Sequence, residues 1–406
     1  MKRYGDFITS EEDLAFLTVI RKYVDNEMMP VRLKLDEDYS VFEKVYEGLV
    51  KLGIQKRGFS PEYGGLGIRS ATTVCAITEE LSRGDSGVSL HSLIIPWCLA
   101  GAMGARNKVL MDKFIPMFCG DTPRCGCLAI TEPAGGCNIE DAAEHGLTIR
   151  TRAKLDGNEW VINGEKMWPS GASIADLYCV VCTTDPNQKE EGMALIYVPK
   201  DTPGLSFGKA EEKMGMKVTD VNTAIYFDNV RVPKEYRAGG PGTDWQLFRA
   251  NIGWGRLTSA PMTLGNAQTV LEIVIEYTKN RFYGGKPVRN HSLQAAMIAD
   301  MAIGVESARA FYLSVAAMFN NRKKYGNPGE DYLMARASAA KVYACDVTET
   351  VCNRAMELMG SYGYARDYHV EKYLRDSKII QIWLGGGQLG RLDVVQSYYP
   401  YVENHK

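Results

Sequence analysis

Two side chains that can accept a proton lie close together in the segment Arg83–Leu93: the carboxylate of Asp85 and the imidazole of His91. Both residue types act as general bases in enzymes. Asp85 directly precedes a predicted helix, so an N-cap that binds the first turn of that helix is an equally good interpretation. For His91 the alternative is a hydrogen-bonded histidine on the side of a helix. The segment therefore offers two candidate bases, each with a structural alternative.

The cysteines raise the question of a metal site. Cys125-x-Cys127 and Cys179-x-x-Cys182 have the spacing of ligand pairs, but the second pair lies inside an apolar run, Leu177–Cys182. No further Cys or His follows at the spacing of a zinc finger. The N-terminus shows no apolar segment of the kind that directs export, so ten cysteines do not predict disulfides. We expect reduced, buried thiols, a cytoplasmic protein and no metal.

Length and composition are those of a globular protein with two or three domains. The chain has 406 residues, of which 45% are apolar and 24% charged. A net charge of -2 gives no electrostatic reason to expect nucleic acid or an anionic membrane as a partner. We see no apolar run near 18 residues, and we therefore expect no membrane span.

The hydrophobic period predicts helices at both ends of the chain and strands between them. An N-terminal helical domain, 1–123, contains four predicted helices: Leu14–Met28, Val41–Leu52, Ala71–Arg83 and Ser86–Ile115. A middle β domain, 124–240, is predicted to be a barrel or sandwich without a helix of useful length between 140 and 235. Its predicted hairpin joins Leu147–Leu155 to Trp160–Ile162, and further strands are Ala194–Val198 and Thr223–Phe227.

The C-terminal domain, 241–406, has the helical period from Trp245 almost to Gln396. Connections at Arg281–Asn290, Tyr325–Glu330 and Gly360–Tyr368 separate segments of about 25 residues, which predicts a four-helix bundle. The fold class is therefore mainly α with a central β domain.

Several local motifs, together with the α–β–α order of the predicted domains, resemble those of a known enzyme family. Thr131-Glu132-Pro133 resembles the Thr-Glu-Pro signature of acyl-CoA dehydrogenases, and Asn163-Gly-Glu-Lys-Met-Trp168 is similar to their Asn-Gly-x-Lys-x-Trp strand. Further similar segments follow in the family's order over nearly the whole chain: Phe227–Pro233, Asn280–Pro287, Gly360–Tyr364 and Tyr373–Ile382. The resemblance implies an FAD-dependent enzyme that removes a proton and a hydride from a CoA thioester.

The resemblance also implies the residues that bind FAD. Thr131 and Ser170 would hydrogen-bond the edge of the isoalloxazine, and Trp168 would offer a flat apolar face. Arg281 suits a pyrophosphate because its planar fork pairs with phosphate oxygens, and in the family this arginine reaches the FAD of a neighbouring subunit. Gly360, Gly363 and Gln388 would approach the rest of the cofactor.

Substrate contacts are expected from four further positions: Cys137, Trp254, Arg256 and Trp383. Together with Trp97, the tryptophans indicate a short, bulky acyl group.

The usual catalytic glutamate is missing. The family's Tyr-Glu-Gly-Thr stands here as Trp383-Leu384-Gly385-Gly386, and a second known glutamate position is occupied by Gly255. Leu384 cannot accept a proton, but its backbone N–H can still bind the thioester oxygen. A base elsewhere, with Asp85 or His91 as candidates, would take a different proton.

Three functions remain open at this point. The loss of the glutamate at Leu384, together with the candidate base Asp85, resembles the cyclohex-1-ene-1-carboxyl-CoA dehydrogenases, which use an aspartate base and form a conjugated diene by 1,4-elimination. A second possibility is a non-oxidative elimination like that of the sulfinopropionyl-CoA desulfinases, with Lys217 or Arg256 for the leaving anion. The third is a CoA-thioester or flavin-binding protein without turnover. The resemblance further implies a homotetramer and an electron-transfer flavoprotein as electron acceptor.

Overall fold

The computed structural model describes residues 2–399, except for the side chains of Lys2 and Cys137. Its N-terminal part is helical, as predicted, and consists of α1 (Glu11–Tyr23), α2 (Tyr39–Lys51), α3 (Ala71–Gly84), α4 (Ser86–Gly104) and α5 (Lys108–Phe114), with single turns between them. Ser10 caps α1, because its Oγ accepts a hydrogen bond from the backbone N–H of Asp13 at 3.2 Å. The polypeptide continues after α1 as a π-helical turn, Val24–Met28.

The prediction of one helix from Ser86 to Ile115 is wrong. Helix α4 ends at Gly104, and Arg106 adopts a left-handed backbone conformation with φ of 52°. Asn107 then caps α5 by accepting a hydrogen bond from the backbone N–H of Leu110 at 3.2 Å. A left-handed residue followed by an N-cap ends one helix and starts another.

The middle part is a curled sheet of seven strands: β1 (Gly126–Ala129), β2 (Arg152–Asp156), β3 (Glu159–Lys166), β4 (Leu177–Thr183), β5 (Met193–Pro199), β6 (Leu205–Phe207) and β7 (Ile225–Pro233). Their order is β1-β4-β2-β3-β7-β6, with β5 antiparallel to β4. Strand β1 runs parallel to β4. Between 140 and 235 the described chain forms only single 3-10 turns besides the strands, as expected.

The predicted hairpin forms, but its first strand starts later than expected. Strands β2 and β3 pair from Asp156 opposite Glu159, around a turn in which Gly157 has φ of 61°. Residues 147–151 do not form a strand, because the backbone N–H groups of Arg150 and Thr151 donate to the carboxylate of Glu132 instead. A side chain has replaced the strand partner at this position.

The C-terminal part contains α6 (Thr243–Asn280), α7 (Ser292–Asn320), α8 (Asp331–Met359), α9 (Val370–Ile382) and α10 (Gly386–Tyr398). A small hairpin, Phe282–Tyr283 with Lys286–Pro287, joins α6 to α7. The last predicted helical stretch is divided in two at Trp383–Gly385. This turn lies where the sequence places the catalytic loop.

By length and hydropathy, α4 and α7 are each apolar enough to cross a membrane, which the predicted absence of a span did not anticipate. Within the most apolar window, 72% of α4 and 44% of α7 lies buried inside the protein. Helix α4 belongs to the core: its residues pack with those of the sheet in one hydrophobic cluster, and Trp383 and Leu384 pack against this same cluster.

Candidate active site

The turn between α9 and α10 is held rigidly by two other helices. Leu384 has φ of 50°, and Gly385 has φ of 81°. The indole N–H of Trp383 donates to Ser259 Oγ on α6 at 2.9 Å, and the Trp383 carbonyl accepts a hydrogen bond from Lys341 Nζ on α8. The backbone N–H of Leu384 lies between these two anchors. No residue that the structure describes accepts a hydrogen bond from it.

Leu384 and Gly255, the two positions at which the family carries its glutamate, lie next to each other. A Cβ added to Gly255 would stand 2.9 Å from Leu384 Cδ1 and 3.9 Å from Trp97 Cζ2. The side chain of Leu384 therefore covers Gly255, and Trp97 borders the same space. Neither position can take a proton.

Arg256 follows Gly255 and is buried between helices. Its NH1 donates to Ser338 Oγ at 2.9 Å, and it forms an ion pair with Asp393 on α10. Ser338 Oγ in turn donates to Asp393 Oδ2 at 2.9 Å. The guanidinium thus has its own carboxylate, which matters because a buried charge needs a partner.

Glu140, a carboxylate for which no sequence motif predicts a role, lies near Arg256. Glu140 ends the 3-10 turn Gly136–Glu140, and its Oε2 is buried and accepts no hydrogen bond within the described part of the chain. Burial raises the pKa of Glu140, while the charges of Arg256 and Lys341 oppose the rise. Only the fold brings it here, from a stretch without a recognisable motif.

Asp85 has the contacts of a cap and an ion-pair partner. It is fully buried, its Oδ1 accepts from the backbone N–H of Val88 at 2.9 Å, and its Oδ2 accepts from Lys372 Nζ at 2.7 Å. Both carboxylate oxygens are therefore occupied. These contacts favour the capping alternative and argue against the prediction of Asp85 as the base.

His91 is enclosed by aromatic rings. Its centroid lies 5.1 Å from that of Phe42 and 4.3 Å from that of Tyr46, both in edge contact. Burial lowers the pKa of His91 to about 4, so that the ring is neutral near pH 7. This is the environment of a core histidine, which is the alternative the sequence left open.

The residues expected at the flavin ring come together at the edge of the sheet. The backbone N–H of Met167 donates to the carbonyl of Thr131 at 2.8 Å, which brings Trp168 beside Thr131. Asn222 Nδ2 donates to the Trp168 carbonyl at 2.8 Å, and Asn222 also forms a β-bridge with Ser170. The Trp168 side chain is 47% exposed, so its face is accessible.

A buried ion pair fixes this edge. Lys166 Nζ donates to Glu132 Oε1 at 2.7 Å and to the carbonyl of Ile130 at 2.8 Å. Burial acts to raise the pKa of Glu132, but Lys166 and the hydrogen bonds from Thr151 together hold this pKa below its usual value. The ion pair joins the loop after β1 to the end of β3, and thus positions Thr131.

Arg281 and the glycine segment meet at the other end of the C-terminal domain. The guanidinium lies 5.6 Å from the centroid of Tyr362, which stands between Gly360 and Gly363. Arg281 also lines a cavity of about 430 Å³ with Tyr277 and His291. Gly363 is required sterically, since a Cβ would lie 2.8 Å from Met356 Cα.

The remaining predicted site residues lie in different parts of the protein. Gln388 is exposed near the start of α10. Trp254 does not share the space of Trp97: it packs edge-on against Phe319 at 5.2 Å and lines a separate cavity of about 360 Å³. Its predicted contact with a bulky acyl group is therefore not supported. The Cys137 side chain lies outside the described residues.

Comparison with known proteins decides the family. Three regions match the acyl-CoA dehydrogenase N-terminal domain (10–109), middle domain (127–230) and C-terminal domain (242–398). The chain belongs to the acyl-CoA dehydrogenase family. The predicted fold, enzyme class and cofactor, FAD, are thereby confirmed.

Two curated acyl-CoA dehydrogenases illustrate the similarity. The chain is 30% identical to the cyclohexane-1-carbonyl-CoA dehydrogenase of Syntrophus aciditrophicus, over 96% of this chain and 97% of that protein. It is also 30% identical to the cyclohex-1-ene-1-carbonyl-CoA dehydrogenase of Geobacter metallireducens, over 94% and 97%.

Solved structures agree with this assignment. Butyryl-CoA dehydrogenase from Megasphaera elsdenii superposes with a TM-score of 0.87 at 26% identity, over 97% of this chain and 100% of that one. A chain from the structural study of the electron transferring flavoprotein of Acidaminococcus fermentans gives a TM-score of 0.88 at 27% identity, over 98% and 100%.

The described residues fit the flavin of an acyl-CoA dehydrogenase. Trp168 offers an exposed aromatic face, Thr131 and Ser170 are partly exposed residues at the same sheet edge, and Arg281 stands exposed at a cavity. Aromatic faces, hydroxyl donors and a guanidinium are suited to an isoalloxazine and a pyrophosphate. Their contacts with FAD stay a prediction.

Proposed function

We propose that the chain oxidises an alicyclic CoA thioester that already carries a double bond, converting cyclohex-1-ene-1-carboxyl-CoA to cyclohexa-1,5-diene-1-carboxyl-CoA by 1,4-elimination. The observation that carries the proposal is Leu384, which has replaced the base for the α proton while its backbone N–H stays available. The similarity to a cyclohexene-carbonyl-CoA and a cyclohexane-carbonyl-CoA dehydrogenase supports the alicyclic acyl group.

The chemistry explains why such a substrate needs no base at Leu384. In cyclohex-1-ene-1-carboxyl-CoA the α carbon is fully substituted and has no proton to lose, but the γ proton is acidic through conjugation. The Leu384 N–H would stabilise the negative charge that develops on the thioester oxygen. When bound, FAD would accept a hydride from the second ring carbon attached to the α carbon, the one that is not part of the double bond. The base must therefore lie beside the γ carbon.

A desulfinase-like elimination has less support. Of the two cations considered for the leaving anion, Arg256 is ion-paired with Asp393, and Lys217 is exposed. A protein without turnover would not need the N–H of Leu384 in a turn fixed by Trp383.

The partners follow from the same proposal. Reduced flavin must pass on its electrons, and an electron-transfer flavoprotein is the acceptor we propose; the solved neighbour from Acidaminococcus fermentans supports this choice. We also propose a cytoplasmic homotetramer, in which Arg281 completes the FAD site of another subunit.

Anaerobic flavin reduction tests the proposal. FAD-loaded protein is mixed with cyclohex-1-ene-1-carboxyl-CoA, cyclohexanecarboxyl-CoA and butyryl-CoA, and the flavin absorbance is followed. We expect bleaching by the cyclohexene thioester and little by the two saturated ones. Faster bleaching by a saturated thioester would show that a base still acts at the α carbon. Sulfite release from sulfinopropionyl-CoA without bleaching would favour the desulfinase.

A further inference from the structure

We infer that Lys341 is a positioning residue of this enzyme: its ammonium group holds and polarises the peptide between Trp383 and Leu384, which strengthens the Leu384 N–H as a donor to the thioester oxygen. The inference rests on the proposed function, because that function gives the Leu384 N–H its role. It assigns a part in the reaction to a residue of α8 that lies outside the motifs of the sequence.

A hydrogen bond joins Lys341 to the main chain of the turn between α9 and α10. Lys341 Nζ donates to the carbonyl of Trp383, which also accepts the backbone N–H of Gly386 at 3.0 Å. The Trp383 C=O and the Leu384 N–H belong to one trans peptide group, which is planar, so they point in opposite directions. A donor that fixes this carbonyl therefore also fixes the direction of the N–H.

The Trp383 side chain holds the same peptide from α6. Its indole N–H donates to Ser259 Oγ at 2.9 Å, and Ser259 Oγ donates to the carbonyl of Gly255 at 2.7 Å. The peptide cannot rotate without breaking a contact on α6 or on α8. Donors that are held in place before the substrate binds stabilise developing charge best, because they need no reorganisation during the reaction.

The charge of Lys341 is directed at a main-chain oxygen. Lys341 is 2% exposed, and its hydrogen-bond acceptor among the described residues is the Trp383 carbonyl, not a carboxylate. A buried charge without an opposite charge costs free energy, so stability alone does not explain this contact. A cation at the carbonyl oxygen draws electrons from the peptide nitrogen and makes the N–H a stronger donor, as linked hydrogen bonds polarise one another.

The charge of Lys341 changes within the pH range of enzyme assays, since burial lowers its pKa to about 8. Groups from three elements also act on this pKa: Cys345 on α8 and Glu140 on its 3-10 turn raise it, and Arg256 on α6 lowers it. Asp393 on α10 is paired with Arg256. Polarisation of the N–H should therefore be present below pH 8 and weaken above it, where the amine is neutral.

Two substitutions at Lys341 and two at other positions test the role. Lys341→Met removes the donor but keeps a long side chain, and Lys341→Arg keeps the charge at high pH. Lys378→Met removes another lysine between α8 and α9, whose Nζ contacts the side chains of Glu349 and Gln381. Glu140→Gln removes the neighbouring carboxylate. FAD content, thermal unfolding and anaerobic flavin reduction by saturating cyclohex-1-ene-1-carboxyl-CoA are measured on both sides of pH 8.

A second measurement needs no turnover. Benzoyl-CoA has no hydrogen on a saturated ring carbon, so it cannot reduce the flavin. With a ¹³C label in its thioester carbonyl, difference infrared spectra of the complex report the C=O stretching frequency. This frequency falls when the carbonyl is polarised, so it measures the strength of the donor directly.

We expect Lys341→Met to slow flavin reduction about tenfold to a hundredfold, less than the roughly 10²–10³-fold lost when an oxyanion donor is removed outright. Wild-type reduction should decline above pH 8, a decline that Lys341→Met lacks and Lys341→Arg moves to higher pH. The C=O frequency should rise above pH 8 in the wild type and stay high in Lys341→Met. Lys378→Met should match the wild type. Glu140→Gln should show the decline at lower pH, because this carboxylate raises the pKa of Lys341.

Three outcomes contradict the proposals. A wild-type C=O frequency that does not change with pH, or a decline in rate that persists in Lys341→Met, would overturn the role of Lys341 and leave the proposed function standing. Loss of the decline in Glu140→Gln would assign the titration to Glu140 and overturn that role as well. A wild type that binds the thioesters but is reduced by none would overturn the proposed function, while the infrared comparison would still decide whether Lys341 polarises the N–H.

Discussion

Leu384, in the turn between α9 and α10, lies against Gly255 on α6, and these are the two positions at which acyl-CoA dehydrogenases carry their glutamate. A Cβ on Gly255 would lie 2.9 Å from Leu384 Cδ1. Gly255 leaves space for the bulky apolar side chain of Leu384. The two residues that stand in place of the glutamates therefore also pack against each other.

The first prediction concerns this contact. Gly255→Ala should destabilise the protein by about 1–3 kcal/mol, because the added methyl group overpacks a site already filled by Leu384. The free energy of unfolding in urea measures the effect. Combining it with Leu384→Ala should remove most of the penalty, which a double-mutant cycle detects. Gly120→Ala is the control, since a Cβ there meets nothing within 4 Å. Additive effects of the two substitutions would contradict the contact.

A second prediction restores the missing base. Leu384→Glu places a carboxylate at the family's position, and it should increase flavin reduction by butyryl-CoA on the order of a hundredfold over the wild type. Leu384→Gln has the same size without a proton acceptor and should give no gain. Equal rates in the two variants would mean that position 384 does not face the α carbon.

A third prediction separates capping from ion pairing at Asp85. Asp85→Asn keeps an N-cap but removes the charged contact with Lys372 at 2.7 Å, and should cost about 1.5–3 kcal/mol. Asp38→Asn is the matched change at an exposed cap, where Asn serves as well as Asp. Urea unfolding compares the two. A stable Asp85→Asn protein whose flavin the cyclohexene thioester no longer bleaches would return Asp85 to the role of base.

The fourth prediction is a pH dependence from His91. Burial lowers its pKa to about 4, against 6.5 in the unfolded chain, so between these values the unfolded state binds more protons. Stability should therefore fall as the pH decreases from 6.5 to 4, by up to about 3 kcal/mol. His91→Gln should make this fall shallower. His369→Gln, at a half-exposed histidine whose pKa burial also lowers to about 4, should change it less. The same slope in His91→Gln and wild type would contradict the prediction.

The fifth prediction tests the pyrophosphate role of Arg281. Arg281→Ala should weaken FAD binding roughly tenfold to a hundredfold, because a charged hydrogen bond contributes about 1.5–3 kcal/mol. Arg289→Ala removes another exposed arginine of the same connection and should bind FAD normally. Flavin retained after ultrafiltration gives the comparison. Equal retention would place the pyrophosphate elsewhere.

The sequence was sufficient for the parts of the molecule that local patterns determine. The α–β–α order and the β2–β3 hairpin follow from period and turn residues, and the group of Thr131, Trp168 and Ser170 follows from the family resemblance of the motifs that contain it. The helix break at Arg106 was missed because a single left-handed residue interrupts an otherwise continuous apolar pattern.

Long-range contacts account for the rest. Whether Asp85 is a base or a cap depends on Lys372, which is 287 residues away along the chain. Glu140 has no motif, and its buried carboxyl group, on whose pKa the charges of Arg256 and Lys341 act, becomes conspicuous only in the folded protein. Such roles depend on burial, which spacing alone does not reveal.

Leu384 has a left-handed backbone conformation, with φ of 50°, in a turn where its main chain and its side chain can have separate roles. In the proposed function the main-chain N–H of Leu384 polarises the thioester carbonyl, whereas in the rest of the family the side chain at this position removes the proton, so the two roles can change independently. A substitution at this one position can therefore exchange the proton that leaves without disturbing the group that activates it. If the proposed function holds, a single substitution in this turn has changed which proton the scaffold removes.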